Sequence, residues 1–162
     1  MGTITRSFAN LITASGPSAL PTGLVVNTPA FRATMSATQT LSNNTVTKVN
    51  FNTEDFDIGS CYNTATYRFT PNVAGKYFVG AQVRWQTDTD IDIADTYIYK
   101  NGSSLFQGNF TNLRYNNWFI GSVVTMNGTT DYIEIFAVQI SGVSVDLRDD
   151  GNQFFAYKLI GA

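Results

Sequence analysis

The stretch Gly75-Lys76-Tyr77-Phe78-Val79-Gly80-Ala81-Gln82-Val83-Arg84-Trp85-Gln86-Thr87 decides the fold class. Tyr77, Val79, Ala81, Val83 and Trp85 recur at every second residue, which is the period of a β-strand with one face buried. A helix would scatter these side chains around its circumference. The flanking sequence reads the same way. Phe31-Arg32-Ala33-Thr34-Met35 and Val46-Thr47-Lys48-Val49-Asn50-Phe51 alternate, and Thr66-Tyr67-Arg68-Phe69-Thr70 stops at Pro71. Thr96-Tyr97-Ile98-Tyr99-Lys100 runs into Asn101-Gly102, a strong signal for a two-residue hairpin. Leu105 to Leu113, Trp118 to Met126, Tyr132 to Ile140 and Phe154 to Ile160 complete the set, and Asn127-Gly128 marks another turn. No stretch after residue 30 carries an amphipathic helix. Strands this dense predict an all-β fold, a two-sheet antiparallel sandwich or jelly roll.

Composition narrows the function. At 162 residues the chain is one domain, with 14% charged and 14% aromatic residues, the opposite of a disordered profile. It has no histidine, so Ser-His-Asp and Cys-His catalysis are excluded. A net charge of -2 and ten scattered basic residues argue against nucleic acid, which needs clustered Lys and Arg. Cys61 is the lone cysteine and reads as a small buried apolar residue. No segment approaches the roughly 20 apolar residues of a membrane helix, so no membrane partner is expected. Met1 to Phe8 lacks the basic and apolar regions of a signal peptide, and Arg6 stands where myristoylation wants Ser or Thr. Synthesis in the cytoplasm without export is therefore expected. The sequons at Asn43, Asn101, Asn109 and Asn127 then read only as Asn-rich turns.

Residues 1–29 differ from the rest. They hold three of the four prolines (Pro17, Pro21, Pro29), and Arg6 is their only charged side chain. Ile4, Phe8, Leu11 and Ile12 have helical spacing, while Thr5, Asn10 and Thr13 favour an extended arm; Pro17 and Pro21 stop any helix. So uncharged a segment is suited to docking. We read residues 1–29 as an anchoring arm and 30–162 as the jelly-roll domain.

Several strands are apolar on both faces, unlike those of a monomeric sandwich with one face in water. In Tyr132-Ile133-Glu134-Ile135-Phe136-Ala137-Val138, Ile133, Ile135 and Ala137 share one face; Tyr132, Phe136 and Val138 share the other. Trp118 to Val124 and Phe154 to Tyr157 repeat the theme. Each exposed large side chain forgoes roughly 1.5–3 kcal/mol of burial, and clusters of them mark protein contacts. Self-association through Trp118, Ile120, Tyr132, Phe136, Val138 and Phe154 is expected.

Residues 51–81 carry a longer pattern. Phe51, Asp57, Tyr62, Phe69, Gly75 and Tyr77 stand at the spacing of the C1q-domain signature, with Val79 and Ala81 where that signature wants aromatic residues. Phe154-Phe155-Ala156-Tyr157-Lys158-Leu159 is similar to the closing strand of such domains, Ala156 replacing the usual Gly. The chain from about residue 30 to 160 thus resembles the C1q and tumour-necrosis-factor (TNF) family. That resemblance implies a roll of about ten strands and a compact homotrimer. The opening Ile4-Thr5-Arg6-Ser7-Phe8-Ala9-Asn10 is similar to openings of tailed-bacteriophage virion structural proteins.

Candidate chemistry is sparse. Asp88, Asp90 and Asp92 fall on one face of a strand and present oxygens of the kind Ca²⁺ takes, though an edge strand deterring wrong pairing explains them as well. The C1q likeness carries no calcium ligands onto this chain. Asp146-Leu147-Arg148-Asp149-Asp150-Gly151-Asn152 reads as a solvated acidic turn. Glu54, Asp55 and Asp57 could form a glycosidase pair, but Asp57 belongs to the signature and no aromatic platform is evident. The expectation is a non-enzymatic protein of the virion, on the capsid exterior, without cofactor or metal. It would be a homotrimeric decoration or cement protein bound to the major capsid protein or another virion protein. The alternative is a tail-fibre or appendage tip that recognises host-surface glycans. Chelation with EDTA should leave the thermal unfolding midpoint unchanged; a large drop would assign Asp88, Asp90 and Asp92 to a metal.

Overall fold

The computed structural model describes residues 27–86, 90–113 and 117–160. Strand β7 (Gly75–Gln86) has the expected alternation: Tyr77, Val79, Ala81, Val83 and Trp85 are all buried. Around it run β1 (Ala30–Thr34), β2 (Gln39–Leu41), β3 (Thr47–Lys48), β4 (Thr53–Ile58), β5 (Tyr62–Asn63) and β6 (Arg68–Phe69). β8 (Ile91–Lys100), β9 (Ser103–Leu113), β10 (Asn117–Met126), β11 (Ile133–Ile140), β12 (Val145–Leu147) and β13 (Gln153–Lys158) complete the chain order. Among the described residues there is no helix.

The strands form two antiparallel sheets. The first has the order β2-β12-β7-β13-β1-β4, with β10 also paired to β7. The second has the order β5-β6-β11-β8-β9, with β3 also paired to β11. The all-β two-sheet jelly roll stands, with thirteen strands among the described residues because several are fragments. Thr66 to Thr70 shrinks to β6, since Tyr67 takes a positive φ of 57° that no strand tolerates. β4 is a strand despite three acids in six residues, because it lies at a sheet edge beside β1 where charge stays in water. Asn101 and Gly102 both have positive φ (53° and 80°), as the hairpin between β8 and β9 requires.

The sheets are joined by aromatic rings. Phe31 of β1 stacks on Tyr62 at 4.4 Å and on Phe69 at 5.0 Å, and Phe154 of β13 meets it edge-on at 4.9 Å. Tyr62 closes the cluster by donating its hydroxyl to the Phe51 carbonyl at 2.6 Å. Asp57 is spent on backbone: its carboxylate accepts from the N–H of Cys61 (2.9 Å) and of Tyr62 (3.0 Å). The spaced residues of the signature are therefore the pieces of one packed corner.

A second tie lies on the outer side of the second sheet. Glu134 of β11 is 2% exposed and accepts from Lys48 of β3 at 2.6 Å and from Arg68 of β6 at 2.8 Å. Two fragments too short to hold themselves are thereby latched to a long strand. Burial alone would raise the Glu134 pKa, but the hydrogen bonds from Lys48 and Arg68 outweigh it and hold the carboxyl below its ordinary value. A depressed folded-state pKa contributes stability that is present above the unfolded value and is lost as pH falls through the folded one. Glu134→Gln should therefore be less stable than wild type at pH 7, and its urea midpoint should fall less between pH 5 and pH 3.

Candidate functional site

β7 runs through the first sheet with its odd-numbered side chains in the core, so Phe78, Gly80, Gln82 and Arg84 face outward. The register extends this outer face across five strands. One row reads Ile58, Ala30, Tyr157, Phe78 and Val123 across β4, β1, β13, β7 and β10. The next reads Phe56, Arg32, Phe155, Gly80 and Gly121. A third, Thr34, Gln153, Gln82 and Phe119, turns polar except at its β10 end.

The apolar part of this face is open to solvent. Phe119 is 51% exposed and Ile58 52%, and Phe56, Val123 and Tyr157 are also exposed. The rings tile the sheet: Phe78 lies 6.4 Å from Phe119, 6.2 Å from Phe155 and 5.7 Å from Tyr157. Gly80 and Gly121 make the tiling possible. A Cβ at Gly80 would sit 2.6 Å from the Phe155 ring, and one at Gly121 would sit 2.8 Å from the Phe119 ring. The two glycines leave pits into which the rings lie down.

A polar border bounds the face at the far end of β7. Gln153 donates to Gln82 at 2.7 Å, and Asp150 accepts from Arg84 at 2.7 Å and from Arg148 at 2.6 Å. The hydrogen bond from Arg148 holds the Asp150 carboxyl below its usual range. Asn152 is buried behind this border, accepting from the Arg84 N–H at 2.6 Å and donating to the Arg148 carbonyl. Arg32, Thr34, Gln82, Asn152 and Gln153 line an open polar pocket beside the rings.

This face corrects the sequence reading by one residue on two strands. Phe154 is fully buried in the aromatic core, so it reaches no partner; its neighbour Phe155 lies on the outer face. Ile120 is also buried, and Trp118 packs inward on Phe110 with ring centroids 4.2 Å apart; the outward residue between them is Phe119. Tyr132, Phe136 and Val138 belong to the β11 region, on the outer side of the second sheet, away from these rows. Tyr132 lies under the Arg68 guanidinium at 4.1 Å, and Phe136 packs on Tyr99 at 4.3 Å. Both strands are apolar on each side, so periodicity could not say which parity meets the core.

Ile4, Phe8, Leu11, Ile12 and Asp88 lie outside the described residues. Asp90 and Asp92 are exposed, and among the described residues no three His, Cys, Asp or Glu side chains are grouped to hold a metal. Glu54 and Asp55 are exposed on β4, with Asp55 paired to Arg32 at 3.0 Å, while Asp57 serves the backbone. The acidic stretch from Asp146 is part strand: Asp146 pairs with Thr40 across β12 and β2, and the loop begins only after Leu147. Burial, with the Asp57 carboxylate beside it, pushes the Cys61 thiol well up, so it stays protonated and poorly nucleophilic.

Solved structures share this architecture. Eiger TNF from S. frugiperda superposes with a TM-score of 0.65 at 11% identity, covering 85% of this chain and 96% of that one. Murine APRIL at pH 8.0 gives 0.62 at 16% identity, covering 80% and 98%. The globular domain of zebrafish complement 1qA gives 0.56 at 17% identity, covering 81% and 96%. The fold is thus the jelly roll of TNF and C1q globular domains. The chain matches no protein-family model and no curated protein.

The inward parity of β13 makes a prediction about stability. Phe154→Ala should lower the unfolding free energy in urea by about 3–5 kcal/mol, the cost of an emptied aromatic site in a core. Phe154→Leu, which keeps most of the volume, should lose less than half of that.

Proposed function

We propose that this chain is a non-enzymatic structural protein of a tailed-bacteriophage virion. It is a homotrimeric jelly-roll head that decorates the capsid exterior, is held there by residues 1–29, and bridges neighbouring capsomers. The observation that carries the reading is the open apolar face on β4, β1, β13, β7 and β10. Its rows cross four inter-strand spacings, about 19 Å, which is wide for a face left in water. A second and third copy would bury it. The C1q and TNF resemblance favours three copies over two.

Attachment is assigned to the arm. Ile4, Phe8, Leu11 and Ile12 supply apolar groups, and Arg6 is the arm's only charge. Ordering such a segment costs roughly 1–2 kcal/mol of backbone entropy per residue, which docking into a groove or onto a sheet edge offsets. Three arms on one trimer act together, so their combined hold exceeds that of one arm wherever receptor sites match their spacing. The likeness of Ile4 to Asn10 to virion proteins supports a particle as the receptor.

Light scattering should give the mass of a trimer, and Phe119→Asp, which places a charge amid the rings, should dissociate it. Deleting residues 1–29 should leave a folded trimer that no longer binds particles. Quantitative mass spectrometry of purified virions should find hundreds of copies per particle. A handful of copies would favour a tail or appendage tip, and a monodisperse wild-type monomer at micromolar concentration would sink the trimer.

A further inference from the structure

The second sheet turns a different face to solvent. Across its register one row reads Asn109, Asp95 and Val138, and the next reads Gln107, Tyr97, Phe136 and Lys48. A third reads Ser104, Tyr99 and Glu134. Three half-buried rings occupy the centre. Tyr99 packs on Phe136 at 4.3 Å, and the Tyr97 ring stands at 86° to Tyr99 with centroids 5.9 Å apart. Tyr97 and Tyr99 thus meet edge to face in a corner of the outer surface.

Polar groups are fixed around that corner. Asp95 is only 7% exposed, yet accepts from the Tyr97 hydroxyl (3.0 Å), the Gln107 amide (2.8 Å) and the Asn109 amide (2.5 Å). Each amide gives Asp95 one N–H, and the Gln107 and Asn109 side chains remain exposed. Burial, reinforced by the hydrogen bond to Asp95, pushes the Tyr97 pKa up to about 12, so its hydroxyl keeps its proton. On the other side Glu134 holds Lys48 and Arg68. Burying carboxylates under donors is no cheaper for a fold than apolar packing. What the arrangement provides is a set of rings and amides locked in position on an outer surface.

We propose that this face binds a neutral saccharide. The C–H face of a pyranose ring packs on the Tyr97 and Tyr99 rings, and its hydroxyls meet the exposed Gln107 and Asn109 amides, which Asp95 holds in place. The charges of the face select against charged ligands: Lys48 and Arg68 balance Glu134 and Asp95, so an anion or a cation finds no net counter-charge. The face also lies on the opposite side of the sandwich from the apolar rows. It stays open when copies associate through those rows, so this proposal stands whether or not the protein coats capsids.

The test uses the full chain and calorimetric titration with cellohexaose, maltohexaose and N-acetylchitohexaose, with heparin and polygalacturonate as charged comparators. At least one neutral hexaose should bind saturably, more tightly than either charged polymer. Tyr97→Leu combined with Gln107→Ala should weaken it at least tenfold, and Asn109→Ala alone should weaken it severalfold at a temperature where circular dichroism shows the variant folded. Phe119→Ser, on the other sheet, should leave affinity unaltered. Absence of binding by all three hexaoses at millimolar concentration overturns the proposal. So does equal binding of the charged polymers, or affinity that survives both the double variant and Asn109→Ala.

Discussion

The sandwich closes on the ring of Phe31. It stacks on Tyr62 and Phe69, which flank the second sheet's edge, and takes Phe154 edge-on from its own sheet. Everything else in the fold is arranged so that this ring has neighbours on all sides. Asp57 gives up its carboxylate to two backbone N–H groups so that Tyr62 arrives at the right height. Tyr62 in turn satisfies the Phe51 carbonyl, which would otherwise be a buried acceptor without a donor. Aromatic pairs of this kind add roughly 0.5–1.5 kcal/mol each beyond their buried area. Several meeting at one residue make the corner cooperative.

Once Phe31 and Phe154 are inside, strand parity leaves no choice about the rest. Arg32 and Phe155 must face out, and with them Phe78, Gly80, Phe119 and Gly121 on the partner strands. The apolar outer face is therefore locked to the core by the two-residue period: a slip of one residue would empty one and fill the other. The second sheet obeys the same rule with different chemistry. Ile133, Ile135 and Ala137 point inward, while Glu134 and Phe136 point outward into a mixed aromatic and polar plate.

Much of this was legible in the sequence, and the reasons for the rest are local. Long strands announce themselves, β7 through repeated alternation and β8 and β10 through runs of strand-forming residues that end in Asn-Gly turns, and the spacing from Phe51 to Tyr77 marks the corner around Phe31. β2, β5 and β12 are too short for periodicity to register, and β4 carries the acids of a loop because it is an edge. That some strands carry two apolar faces was readable, but which residues lie on the open face was not. Trp118 to Val123 and Phe154 to Tyr157 are apolar at both parities, so a window on one strand cannot tell Phe119 from Ile120. The pair Gly80 and Gly121 is the missing signal: they face each other across β7 and β10, where only rings lying flat above them fill the space.

Those two glycines have a consequence for how a second copy docked on this face, as proposed, would find its angle. Rings lying flat in shallow pits make a smooth surface, which supplies area but little resistance to sliding or rotation. Direction has to come from groups that care about geometry, and the nearest are at the border: the Gln82 and Gln153 amides, and Asp150 with its two arginines. Hydrogen bonds lose strength within a few tenths of an ångström and a few tens of degrees. In the assembly proposed above, adhesion and alignment would therefore be divided between neighbouring regions of one sheet, the rings supplying contact area and the polar border the angular register.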